Sequence, residues 1–199
     1  MKKMLLTSAG FENPKLGKEF LRLVGKPPAE IKVLLVSLPR TDEEMLYVNA
    51  SKKELIDMGI KEENIRTTHL DENIAYKDAK GFDAMYFCGG NTPFILDKVR
   101  KSGFGKIIVQ FVSDGKVYVG VSAGSIIVGP NIETTHDQND IGMKDFTGLG
   151  LTDRMISPHY TDKEADIIAG YIKKFGNNIV ALKDSQALLI IGDKTKLIE

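Results

Sequence analysis

The stretch Tyr118-Val119-Gly120-Val121-Ser122-Ala123-Gly124-Ser125 sets a serine between two glycines, behind a run of β-formers and ahead of the apolar Ile126-Ile127-Val128. A G-x-S-x-G segment at the exit of a strand and the start of a helix describes a sharp corner that holds a serine hydroxyl out as a nucleophile, the glycines giving the clearance such a corner needs. The same letters also fit a glycine-rich turn whose serine caps the next helix. The first reading makes demands on the rest of the chain: a base, an acid, an anion-binding stretch of backbone, and strands whose carboxyl ends meet at one edge.

Around this corner, short runs rich in Val, Ile, Leu and Tyr alternate with amphipathic stretches, the pattern of βα units on a mostly parallel sheet with helices on both faces. Residues 4–9, 32–38, 84–88 and 116–122 read as strands, and 63–70 as a strand of briefer alternation. Residues 42–59 form a helix that starts at Thr41-Asp42 and stops at Gly59; residues 92–103 form another, opened by Thr92-Pro93 and closed by Gly103. A short helix follows the serine and ends at Gly129-Pro130. Residues 131–153 show no sustained period and read as a long ordered loop, a feature that tends to be functional. A strand over 154–160, a helix over 162–176 with acids at its start and lysines at its end, and two further strands over 178–184 and 187–193 complete one α/β domain spanning residues 1–199.

The 199 residues carry 27 Lys+Arg against 27 Asp+Glu, with no block of like charge to mark a nucleic-acid or membrane partner. Cys88 is the single cysteine, which precludes an intrachain disulfide. No apolar run approaches the ~20 residues of a membrane span, and the first residues lack a leader-like apolar stretch, so a cytoplasmic protein is expected.

After the strand at 84–88, the segment Cys88-Gly89-Gly90-Asn91-Thr92 supplies a glycine-lined bend whose amides can face developing negative charge, or else a plain turn opening the next helix. It completes neither phosphate-loop pattern. Cys88, behind aromatic and apolar residues, reads as a buried inert thiol. Of the three histidines, His159 is best placed as a general base because it follows a strand and precedes a helix; His69 reads as surface or satisfied core, and His136 lies in the long loop. Two carboxylates qualify to orient the imidazole. Asp137 sits in the polar loop, and Asp184 follows a strand toward the same sheet edge; the residues alone leave the choice open.

Four segments in this order, Cys88-Gly89-Gly90-Asn91-Thr92, Gly120-Val121-Ser122-Ala123-Gly124-Ser125, 130–137 (PNIETTHD) and 156–162 (ISPHYTD), resemble the peptidase E (aspartyl dipeptidase) family of serine peptidases, whose relatives include cyanophycinase. The resemblance spans nearly the whole chain and implies a fold similar to class I glutamine amidotransferases. It implies Ser122 as nucleophile, His159 as base, Asp137 as acid, Gly90 and Ala123 as oxyanion donors and Asn91 at the substrate, a short peptide, with neither metal nor cofactor. The chain departs from the family pattern in placing Cys88 where a first glycine is common and in having no arginine after Arg154, the region in which family dipeptidases read an N-terminal aspartate. A weak preference for Asp-X peptides is therefore expected. The alternatives are an esterase-type serine hydrolase and a small-molecule binding module that keeps the fold without catalysis.

Overall fold

Nearly continuous hydrophobic strands need cover on both faces, and the computed structural model, which describes residues 1–72 and 74–199, provides it. In chain order the main elements are β1 (Lys3–Thr7), α1 (Pro14–Val24), β2 (Val33–Ser37), α2 (Asp42–Asp57), β3 (Ile65–His69), α3 (Tyr76–Ala79), β4 (Ala84–Phe87), α4 (Thr92–Lys101), α5 (Phe104–Ser113), β5 (Val117–Val121), α6 (Ala123–Ile126), β6 (Met155–Ser157), α7 (Ala165–Phe175), β7 (Ile179–Ala181), β8 (Ala187–Ile191) and β9 (Lys194–Ile198). Seven strands form one sheet in the order β3-β2-β4-β5-β1-β8-β9. The first five are parallel, and β8 runs antiparallel to both of its neighbours.

The pleat sends alternate side chains of each strand to opposite faces. Leu5, Val33, Leu35, Tyr86 and Val119 pack with Leu16 and Phe20 of α1 and Val48 and Leu55 of α2. Leu6, Leu34, Val36, Phe87 and Tyr118 pack on the other face with Leu96 and Val99 of α4 and Ile108 and Phe111 of α5. This is the α/β arrangement the sequence predicts.

The sequence reading singled out neither α1 nor α5. The segment Phe104–Ser113 is rich in β-branched and aromatic residues, yet its buried positions, Phe104, Ile107, Ile108, Phe111 and Val112, recur at helical spacing. The strand expected over 154–160 is confined to Met155–Ser157, and it pairs in parallel with β7 in a separate two-stranded sheet. Between α6 and β6 the chain forms the long loop, with one isolated bridge joining Asn131 and Thr147.

This topology positions the site. Strands β1, β4 and β5 end at one edge of the sheet, and β8 begins there because Ala187 pairs with Thr7. The residues just after Thr7, Phe87 and Val121, and those just before Ala187, are therefore neighbours.

Candidate active site

Ser122 leaves β5 with φ 47° and ψ −108°, a left-handed conformation that a non-glycine residue adopts only under constraint. The flanking glycines explain how the corner closes. A Cβ on Gly120 would stand 2.5 Å from the carbonyl oxygen of Gly124, and one on Gly124 would overlap the carbonyl oxygen of Phe87 in the neighbouring strand. Hydrogen bonds then bolt the corner from beneath. The Ser125 hydroxyl donates to the carbonyls of Thr7 and Gly120, each at 2.8 Å, the Tyr118 hydroxyl donates to the Gly124 carbonyl at 2.7 Å, and the Ser122 amide donates to the Thr7 carbonyl at 3.1 Å.

His159 lies across from the corner, also at positive φ (59°). Its Nε2 is 3.0 Å from Ser122 Oγ, and its Nδ1 is 2.7 Å from Asp184 Oδ1. Ser8, just beyond β1, donates its hydroxyl to the same Asp184 oxygen at 2.8 Å and accepts the His159 amide at 2.7 Å. The side chains of His159 and Asp184 are about half exposed (53% and 51%), so this contact contributes orientation more than stability.

Asp137 is not part of this chain of hydrogen bonds, and the expectation that it orients His159 is corrected. Its Oδ2 accepts from the Thr92 amide at 2.9 Å, the Thr92 hydroxyl at 2.7 Å and the Thr135 hydroxyl at 2.9 Å. The carboxylate thus sits at the N-terminus of α4, where unpaired amides and the helix dipole favour an anion. Asn91 caps the same helix, its side-chain oxygen accepting from the Phe94 amide at 3.0 Å while its nitrogen donates to the Gln138 carbonyl at 2.9 Å. Together they fasten the long loop to the segment Cys88–Asn91. Within that segment Gly90 has φ +138°, open to glycine alone, and Gly89 lies against Ser122, a Cβ there standing 3.4 Å from the serine Cβ. Among the described residues, the amides of Gly90 and Ala123 have no hydrogen-bond acceptor.

These residues line a cleft of about 550 Å³ that also touches Gly10, Glu12, Arg40, Tyr47, Ser51 and Glu54. Sequence reasoning missed Ser8, Arg40 and Glu54. Ser8 had a signal in its place at the exit of a strand. Arg40, from the β2–α2 connection, enters the cleft ahead of the nucleophile in sequence, whereas an arginine was sought only after Arg154. Its guanidinium pairs with Asp140 at 2.6 Å and Glu44 at 3.8 Å and lies 5.0 Å over the Phe94 ring. Burial pushes the Cys88 thiol up to about 12, as expected of an inert cysteine. The other histidines lie elsewhere: His69 contacts the Ser37 hydroxyl at 3.2 Å, and His136 approaches Glu164 at 3.4 Å.

Comparison with known proteins accords with this arrangement. Residues 4–198 match the model of peptidase family S51. The chain is 33% identical to the uncharacterized peptidase Lmo0363 of Listeria monocytogenes, over 96% of each protein, and 29% identical to the uncharacterized peptidase PM1590 of Pasteurella multocida, over 100% of this chain and 97% of that one. It is 33% identical to peptidase E of Shewanella amazonensis over 77% of this chain and 68% of the relative. A crystal structure of a candidate peptidase E from Listeria monocytogenes superposes with a TM-score of 0.83 at 26% identity, covering 100% of this chain and 98% of that one. A corner serine beside an imidazole, in this fold and with these relatives, makes the chain a serine-type peptidase belonging to peptidase family S51, the peptidase E family.

Proposed function

We propose that the protein cleaves short peptides through an acyl-enzyme on Ser122. The observation that carries this reading is the unbroken line from Ser122 Oγ through His159 to Asp184, with contacts of 3.0 and 2.7 Å, ending on a serine held in a strained corner. His159 Nε2 takes the hydroxyl proton as Oγ bonds to the scissile carbonyl carbon, and the Asp184 carboxylate holds the ring and offsets the imidazolium charge. The carbonyl electrons move onto oxygen, where the free amides of Gly90 and Ala123 receive them; one such donor is worth roughly 10²–10³ in kcat. Collapse of the tetrahedral adduct breaks the C–N bond, and the proton on Nε2 passes to the leaving amine. Water repeats the sequence to release the acid.

A cleft of about 550 Å³ suits a peptide of a few residues. The cation that would be needed to read an aspartate side chain, Arg40, is already neutralised by Asp140 and Glu44, which supports a weak preference for Asp-X substrates. Two measurements test the reading. A fluorophosphonate should label wild-type protein and leave Ser122→Ala unlabelled, and a dipeptide panel should show hydrolysis by the wild type alone. Labelling of folded Ser122→Ala would remove the assignment; rejection of neutral X-Leu by ~10⁴-fold against Asp-Leu would overturn the specificity.

A further inference from the structure

Glu54, on the inward side of α2, lines the same cleft as Ser122 and His159. One carboxylate oxygen is fixed by the protein: Oε2 accepts the Phe11 amide at 3.1 Å and the hydroxyl of the fully buried Tyr86 at 3.2 Å. The other, Oε1, has no hydrogen-bond donor among the described residues, and no lysine, arginine or histidine among them pairs with Glu54. The position is also confined. A Cβ on Gly10 would stand 2.9 Å from Oε2 and 3.3 Å from Oε1, so the backbone after β1 passes directly over the carboxylate.

The path to the nucleophile is short. Gly89 lies against Ser122, Cys88 precedes it, Ser51 lines the same cleft as Cys88, and Ser51 stands one helical turn before Glu54. The cleft's arginine is no counter-ion, since Arg40 is held by Asp140 and Glu44. Glu12, which lines the same cleft, is also acidic and acts on Glu54 repulsively. A carboxylate withdrawn from water and lacking a cation is costly unless a ligand supplies one. Burial accordingly raises the Glu54 pKa, against the opposing hydrogen bonds from Phe11 and Tyr86.

On the proposed peptidase reading, we infer that Glu54 is the specificity-determining carboxylate that receives an ammonium group of the peptide substrate. A charge-assisted hydrogen bond from that group fills the vacant Oε1, while Phe11 and Tyr86 keep the carboxylate in place. Two sources share this chemistry: the free amino terminus of the peptide and a lysine side chain.

The test compares wild type, Glu54→Gln and Glu54→Asp on four peptides: one with a free amino terminus, its N-acetyl counterpart, and a pair differing by lysine or norleucine on the acyl side of the scissile bond. Glu54→Gln keeps the size and an acceptor for Phe11. It should lower kcat/KM for the ammonium-bearing member of a pair by roughly 10- to 100-fold relative to its neutral counterpart, mostly through KM, with Glu54→Asp retaining part of the preference. Selective loss within the acetylation pair assigns the amino terminus; selective loss within the lysine pair assigns the side chain. Equal loss on all four peptides, or wild-type rates that never distinguish the charged from the neutral members, overturns the inference. Fluorophosphonate labelling of wild-type Ser122 reports separately on the peptidase reading, so a labelled enzyme with unaltered pairwise ratios in Glu54→Gln defeats the role of Glu54 alone.

Discussion

The hydroxyl of Ser8 accepts the amide of His159 at 2.7 Å and donates to Asp184 Oδ1 at 2.8 Å, so one small side chain fixes both the backbone and the hydrogen-bond partner of the imidazole. His159 needs that support because its φ of 59° is a conformation that a bulky residue leaves unless it is held. Replacing Ser8 by Ala removes both contacts. The expected outcome is a fall in kcat of roughly 10- to 100-fold with KM little changed, read from steady-state kinetics on a neutral dipeptide. An unchanged kcat would mean that the ring holds its place without Ser8.

Ser122→Ala and His159→Ala should each lose on the order of a million-fold in kcat, and the double mutant should lose little more, because the pair acts as a unit. Asp184→Asn should lose roughly ten thousand-fold, since an amide at that position favours the wrong imidazole tautomer. Kinetics on the four purified variants, each shown by circular dichroism to be folded, checks the set. Near-normal turnover by Asp184→Asn would exclude it as the orienting group.

Asp137→Asn provides the contrast. Its carboxylate caps α4 through Thr92, so the loss falls first on stability, about 1 kcal/mol for a cap. That corresponds to a fall in Tm of roughly 2–4 °C for a chain of this size. The activity loss should be well below that of Asp184→Asn and should follow from loosening of the Cys88–Asn91 segment. Calorimetry and kinetics together distinguish the two carboxylates; a ten thousand-fold loss with unchanged Tm would return Asp137 to direct catalysis.

Gly124→Ala places a methyl group against the Phe87 carbonyl, a backbone atom that cannot turn aside. Overpacking of this kind costs about 1–3 kcal/mol or more, and the strain also displaces Ser122. Lower Tm and a reduced rate of fluorophosphonate labelling are expected together. A variant with wild-type values of both would show that the corner has slack.

Glu54 couples stability to pH. Burial raises its pKa in the folded protein above that of the unfolded chain, so its favourable contribution is complete below the ordinary carboxylate range and is lost as pH rises through the raised value. Glu54→Gln, neutral at every pH, should therefore gain in Tm relative to wild type between acidic and neutral pH. Parallel Tm profiles for the two proteins would contradict this.

The corner at Ser122 and the placing of His159 beside it were legible because their signals are local: glycine clearance around Ser122, and a histidine between a strand and a helix. Strand positions followed equally well from hydrophobic runs buried on both faces. The carboxylate partner of His159 was not legible, since Asp137 and Asp184 each occupy a polar connection. Which one meets the imidazole depends on β8 entering the sheet antiparallel beside β1, a pairing between distant segments. Glu54 was hidden for a different reason. Flanked by Lys52, Lys53 and Asp57, it reads as part of a solvated helix surface, and its burial arises from the approach of Gly10 and Tyr86.

The same insertion of β8 has a consequence for the order in which the enzyme comes into being. Leu5 in β1 pairs with Val119 on one side and Leu189 on the other, so β1 is made before either of its neighbours in the sheet. Ser122, the amides of Gly90 and Ala123, and His159 are all synthesised before Asp184, which stands at the entry to β8 and meets His159 once β8 lies beside β1. On the proposed reading, a chain made only as far as His159 carries its nucleophile without the carboxylate that orients the base, and peptidase activity waits for β8 to join the sheet.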